Sequence, residues 1–254
     1  MRTLLISLSF LLVLAVTPVL AEPFVFAADS DLAPYSMFID GAPAGIDVDL
    51  VKEAAKRAGV EVDIQLMPFE SVLTSLRAGT SDGGFALFRT PEREAYAMYM
   101  EASPLHFSDY VLFTKVGGRF PYESLADLKG RIIGRVAGIR LGEAFEAGVA
   151  SGEVEIKEYP DLSAGLRGLN SGEIDAYAGN IDVVFKRLGA MGMSSSIVYL
   201  PKKIVSQKPA YMVLSRASKN PDGERVMQRL ERALDAMRKD GTYGAVARRY
   251  LFRF

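Results

Sequence analysis

From residue 24 onward the apolar positions take turns between two spacings: short runs with a period near two, and longer stretches with apolar residues three and four apart. Phe24–Ala28 predicts a strand, followed by a polar loop carrying Asp29, Asp31 and Pro34. Asp47–Ala58 predicts an amphipathic helix with Leu50, Val51, Ala54, Ala55 and Ala58 inward and Gly59 as its stop. Val60–Met67 alternates, with Val62, Ile64 and Leu66 on one strand face. A helix over Phe69–Ala78 and a strand over Gly83–Phe88 follow, and Thr90-Pro91 opens another helix as N-cap and first helical residue. Asp109–Lys115 is a strand, closed by a turn at Val116-Gly117-Gly118. Beyond it, strands are expected at Arg131–Ala137, Glu153–Tyr159, Asp175–Gly179, Ile197–Leu200 and Pro209–Ser215. Helices at about 141–149, 161–171 and 181–189 separate the earlier ones. Pro221–Asp240 and Gly241–Leu251 close the chain as helices, the first with Val226, Leu230, Leu234 and Met237 on one face. Strand and helix alternating in this way predicts an α/β fold.

Within that alternation one unit occurs twice. Leu73–Asp82 and Leu166–Asp175 both read L-x-x-L-x-x-G-x-x-D, and each leads into a mostly apolar run. Leucines three apart share a helix face, the Gly suits a left-handed helix stop, and the Asp opens a strand. The repeat predicts two similarly built α/β lobes with a cleft between them.

Composition then narrows the compartment and the chemistry. Met1-Arg2-Thr3 is a short basic start, Leu4 to Val16 is apolar apart from two serines, and Val19-Leu20-Ala21 suits a signal peptidase. Residues 1–21 therefore read as a signal peptide, cleaved after Ala21, and the mature protein is expected in a Gram-negative periplasm. No cysteine stands at that point to carry a lipid, and none elsewhere to form a disulfide. With one histidine and no cysteine, a His/Cys metal site is excluded. No G-x-S-x-G elbow or phosphate-binding loop is present, and His106 reads as a packed histidine near a hinge. Thirty basic and 31 acidic residues are dispersed, leaving no face for nucleic acid.

Four stretches carry a family resemblance. GIDVDLVKEAAKRAGVEVDI, FESVLTSLRAGTSD, Phe88-Arg89-Thr90-Pro91-Glu92-Arg93, and the pair SLADLKGRIIGRVAG with DGTYGAVARRYLF are similar to bacterial extracellular solute-binding proteins of family 3. These are the polar amino-acid binders of the type II periplasmic binding fold. The resemblance implies one lobe from residues 22–108 plus 208–254, a second from 113–202, and hinge crossings at 109–112 and 203–207. It also implies a monomer without cofactor that closes on a small solute and presents it to a membrane ABC permease.

The same resemblance nominates a site. Arg93 matches the arginine that grips a ligand carboxylate, in the opening turn begun by Thr90, where free N–H groups favour an anion. Asp29 matches a contact to a ligand amino or cationic group, and Phe69 an aromatic packed on the ligand, although a core position serves that residue equally well. Leu32 stands where relatives often place a second aromatic. Phe88 and Ala86 replace hydroxyl-bearing residues, and Asn180 stands where relatives hold an ammonium with an acid; an amide carries no charge. Arg140 stands where the family uses Thr, at another expected helix start, and equally reads as a rim residue paired with Glu143. Two arginines and a missing acid point to an anionic ligand: an organic acid, a dicarboxylate or an acidic amino acid. The leading expectation is a non-enzymatic binding protein for a carboxylate. The alternatives are a ligand-poor interaction or sensor protein on the same fold, and a cyclohexadienyl-dehydratase-like enzyme.

Overall fold

The computed structural model describes residues 22–251. The leader read over residues 1–21 lies outside the described residues, as does the end of the first lobe at 252–254. Strand β1 (Phe24–Asp29) leads to a hairpin of β2 (Met37–Ile39) and β3 (Ala42–Ala44), then helix α1 (Ile46–Ala58) and β4 (Val62–Met67). Helix α2 (Phe69–Ala78), β5 (Gly83–Phe88), the single turn α3 (Pro91–Glu94) and β6 (Ala97–Tyr99) complete this stretch. The long β7 (His106–Lys115) crosses to a second set: β8 (Ile132–Val136), α4 (Glu143–Ala150), β9 (Glu155–Tyr159), α5 (Leu162–Ser171), β10 (Ala176–Asn180) and α6 (Ile181–Ala190). Strand β11 (Ile197–Ser215) returns, and α7 (Gly223–Lys239) and α8 (Thr242–Leu251) finish the first set.

The two sets have one plan. The main sheet runs β4-β1-β5-β11-β7-β10-β8-β9, with β6 beside β11. On one side β4, β1 and β5 are parallel and β11 lies antiparallel to β5. On the other, β9, β8 and β10 are parallel and β7 lies antiparallel to β10. This is a two-lobed type II architecture, its lobes joined through β7 and β11. Apolar residues on the helix faces hold the first lobe: α1 buries Val48, Leu50, Val51 and Ala54 and α7 buries Met227, Leu230, Leu234 and Met237.

The repeated decapeptide does the same work in both lobes. Helices α2 and α5 each stop on a left-handed glycine, Gly79 at φ 68° and Gly172 at φ 82°. The Asp that follows accepts the backbone N–H of the neighbouring strand: Asp82 from Val25 at 3.0 Å, Asp175 from Ile132 at 2.8 Å. The surroundings differ. A Cβ on Gly79 would meet the Ala217 carbonyl oxygen at 2.1 Å, whereas one on Gly172 meets nothing within 4 Å. Gly172→Ala should therefore destabilise by the left-handed term alone, about 1–2 kcal/mol. Gly79→Ala adds a clash with backbone that cannot swing aside, about 3 kcal/mol or more in all. Urea midpoints of the two variants check the order; equal shifts would contradict it.

One expectation fails here. Ile197–Leu200 and Pro209–Ser215 are two ends of one strand, not two strands. The polar stretch between them, with Pro201, Lys202, Lys203, Ser206 and Gln207, is polar because the crossing is solvated. Its pairing with β7 shifts register three times, between Tyr199 and Lys208.

Candidate functional site

The carboxyl ends of the parallel strands of both lobes meet at one cleft, where ligands of open α/β sheets gather. β1 ends there at Asp29, β5 at Phe88, β8 at Val136 and β10 at Asn180. Between the two strand sets lie a groove of about 560 Å³ along Asp29, Asp31, Phe69, Val136, Leu162 and Arg187 and two small cavities of about 20 Å³ and 40 Å³. A water needs roughly 10–15 Å³ on this measure, so the two cavities have room for a few waters at most.

Arg93 is 3 % exposed and lines the smaller cavity. Thr90 caps its turn, the hydroxyl accepting the Arg93 N–H at 3.3 Å, and so positions Arg93 without itself lining either cavity. The guanidinium donates from Nη1 to the Phe88 carbonyl and from Nη2 to the Gly138 carbonyl, both at 2.9 Å, and lies 5.3 Å from the centre of the Phe69 ring. Gly138 belongs to the opposite lobe, in the loop after β8, so Arg93 bridges the cleft. Phe69 and Phe88 line the same cavity. Ala86, also in its wall, sits at φ 62°, and the pairing of β5 with β11 shifts register beside it.

Lys208, on the returning strand, donates to the Arg140 carbonyl at 3.0 Å and stands 4.6 Å over the Phe88 ring. Burial, and then the charge of Arg93, push its ammonium down to about 8. Two cations of one face thus reach two carbonyl oxygens of one loop, at Gly138 and Arg140. Asp29 lines both cavities and accepts the Asp31 N–H at 2.9 Å. Burial pushes its carboxyl up to about 7, against the opposing pull of Arg187.

Asn180 is placed differently from its expected role. It is the N-cap of α6, its Oδ1 accepting from Asp182 N at 2.9 Å and Val183 N at 3.3 Å, while Nδ2 donates to Ser108 Oγ at 2.8 Å. One amide hydrogen remains for the second cavity, which Asn180 lines. Arg140, like Lys208, lines neither cavity. Helix α4 begins three residues later, with Gly142 as its cap, so Arg140 misses the first turn. Its guanidinium lies 4.0 Å from Glu146 and 3.8 Å from Glu158, not against Glu143. Those acids also hold the buried Arg135 at 2.9 Å each.

Two residues of the site were given no ligand role by the sequence. Lys208 stands in the polar stretch between the two expected strands and looks like a solvated lysine. His106 forms part of the cavity wall, with its Nδ1 2.7 Å from Asp47 Oδ2 and the Tyr35 ring stacked on it at 3.9 Å. Across the cleft mouth, the Tyr35 hydroxyl donates to Asp182 Oδ2 at 2.9 Å, and Asp31 pairs with Arg187.

Asp29 predicts a pH dependence. Its pKa rises from 3.8 unfolded to about 7 folded, so between those values the folded protein holds a proton that the unfolded chain has lost. Stability therefore falls as pH rises from about 4 to about 7 and is flat beyond. Asp29→Asn should remove that slope, read as melting temperature against pH; an unchanged slope would assign the effect elsewhere.

Among the described residues no helix is long and apolar enough to cross a membrane, and no acidic, His or Cys cluster could hold a metal ion. Fold and cleft together define a two-lobed α/β protein with a candidate site between its lobes. Residues 24–253 match the bacterial extracellular solute-binding proteins, family 3, and the chain belongs to that family. It is 24 % identical to the "Probable amino-acid-binding protein YxeM" of Bacillus subtilis, over 85 % of this chain and 79 % of that one. It is 25 % identical to the "ABC transporter arginine-binding protein 1" of Escherichia coli, over 89 % and 90 %. In structure it is similar to an ancestral arginine-binding protein bound to arginine, with a TM-score of 0.76 at 22 % identity, over 90 % of this chain and 98 % of that one.

Proposed function

We propose that this protein captures a small carboxylate-bearing solute, an amino acid or organic acid with anionic preference, and delivers it to a membrane ABC permease. The observation that carries the reading is the pair Arg93 and Lys208, donating at 2.9 and 3.0 Å to two carbonyl oxygens of one facing loop. Those oxygens stand in for the two oxygens of a carboxylate, which the same donors would hold with charge assistance once the lobes part and reclose. The second cation is Lys208 rather than Arg140. The named relatives bind amino acids, which share the α-carboxylate. A cationic side chain would need an acid in the cleft, and here Asn180 carries no charge, Asp29 holds its proton up to about pH 7 and Asp31 is already paired with Arg187.

The lobes are placed at 22–108 plus 208–254 and at 113–202. The hinge is placed at 109–112 and 203–207, supported by the interrupted ladder there. We read residues 1–21 as a signal peptide and the mature protein as a periplasmic monomer. We read it as a binding protein rather than an enzyme.

A thermal-shift screen of residues 22–254 against acidic, neutral and basic amino acids, dicarboxylates and aromatic acids tests this. A ligand at 100 times its dissociation constant adds about 2.7 kcal/mol of stability. Tight binding of lysine or arginine would overturn the anionic preference. The engagement of Arg93 and Lys208 by the facing loop's own carbonyls favours one second reading, the ligand-poor interaction or sensor protein. No shift with any compound, in protein shown to be ligand-free, selects it.

A further inference from the structure

The smaller cavity holds a polar group that the carboxylate reading leaves unused. His106 lines it together with Arg93 and Asp29, and is 6 % exposed. Asp47, fully buried in the first turn of α1, takes the Nδ1 side of the ring at 2.7 Å. Among the described contacts the other ring nitrogen, Nε2, has no protein partner, and it is not one of the fully enclosed polar atoms. Tyr35 fixes the ring plane by stacking on it, and is itself tied to Asp182 of the opposite lobe. A ring held on one edge and one face, with its free edge at a cavity, is a positioned hydrogen-bonding group.

We propose that His106, pinned by Asp47, is a specificity-determining ligand contact, and that the solute carries a second acidic group besides the carboxylate taken by Arg93. The proposal rests on the carboxylate reading and narrows it to diacids. With Nδ1 committed to Asp47, Nε2 is the edge left to the ligand, and it becomes a donor by taking up the proton of the second acid. The other titratable groups around the ring do not supply an acid that would favour a cationic ligand. Tyr243 from α8 and Tyr35 are phenols pushed up by burial, as is Tyr110 of the same strand. Asp29 across the cavity is pushed up to about 7, while Arg93 and, beyond Phe88, Lys208 are cations. The backbone of β11 opposite His106 is at Ala210, which brings no charge. A monoacid would satisfy Arg93 and leave the imidazole facing an apolar tail.

His106 is the only histidine in the chain, so its ring nitrogens give one assignable pair of resonances in untagged protein. The probes are succinate against butyrate and L-glutamate against L-glutamine, in calorimetry and in nitrogen NMR of the wild-type protein. Each diacid is expected to bind about tenfold or more tightly than its partner, the range of a hydrogen bond to a charged group. Succinate should shift the Nε2 resonance to that of a hydrogen-bonded donor, and butyrate should leave it in place. In His106→Leu the succinate-to-butyrate ratio should fall to about one, and His106→Gln should recover part of it. Monoacids and diacids binding equally to the wild type, both dependent on Arg93, would overturn this inference and leave the carboxylate reading standing. No carboxylate binding at all would overturn both. If His106→Leu does not fold, the resonance decides on the native protein: unmoved by bound succinate, it sinks the proposal.

Discussion

Arg93→Ala binds the solute about 30-fold to several thousandfold more weakly than the wild type, the loss of roughly 2–5 kcal/mol expected when one partner of a buried charged contact is removed. The size follows from the geometry. The guanidinium is almost fully buried and fixed from below by Phe69 and by the cap at Thr90, so little rotamer freedom remains to be lost when ligand arrives. Its two donors point at two acceptors at once, one in each lobe. A ligand carboxylate replacing the Gly138 carbonyl turns a hydrogen bond from a cation to a neutral acceptor into an ion pair, which is where selectivity for ligand over self-closure arises. Arg93→Lys keeps the charge but loses the fork, and should fall between the two. Truncation also leaves the Gly138 carbonyl without its donor, whereas the Phe88 carbonyl keeps the Tyr99 hydroxyl at 2.8 Å. The variant should therefore rest more open before any ligand is added. Calorimetry of both variants with a carboxylate bound by the wild type checks this; an Arg93→Ala affinity within threefold of wild type would remove Arg93 from the ligand site.

Most of the framework was legible because its signals are local. Helix α2 and strand β5 fall on the expected residues, since periodicity, the stop at Gly79 and the Asp at 82 agree. The decapeptide repeat foretold more than two helices: the equivalent aspartates clasp equivalent neighbouring strands. The β2–β3 hairpin passed as loop, although Asp40-Gly41, both at positive φ, is a turn pair that could have revealed it. Strand β6 has three residues, and only its pairing with β11 makes it a strand. The crossing at 197–215 was split because solvation, not sheet formation, governs its composition.

The site was legible where a motif carried it and opaque where only tertiary contact does. Thr90 and Arg93 announce a capped turn with a buried cation, and the structure has one. Asn180 and Arg140 were placed by likeness alone; one spends most of its hydrogen bonds capping α6 and the other turns to Glu146 and Glu158. Lys208 and His106 reach the cleft from paired stretches of the two crossing strands, where Lys208 faces Ser108 and Ala210 faces His106, and no linear pattern places them beside Arg93.

Cutting the bridges at the cleft mouth should change the resting shape of the molecule. Tyr35 donates to Asp182, and Asp31 pairs with Arg187, each joining a loop of the first lobe to α6 of the second. Burial and the neighbouring Asp182 carboxylate push the Tyr35 hydroxyl upward, so it stays a donor throughout the accessible pH range. A hydrogen bond to a charged group contributes about 1.5–3 kcal/mol and a partly exposed ion pair up to about 1. The double variant Tyr35→Phe/Arg187→Ala should thus shift the closed-to-open ratio by about 2–4 kcal/mol, roughly 30-fold to several hundredfold. Small-angle scattering of ligand-free protein should show a larger radius of gyration for the variant, and ligand at saturation should return it to the wild-type value. Affinity should drop by about the same factor, because ligand binding would then have to draw the lobes together without the bridges. An unchanged radius would mean that the carbonyl contacts of Arg93 and Lys208 hold the lobes together on their own. A larger radius that ligand fails to reverse would mean that the bridges, rather than the cleft, drive closure.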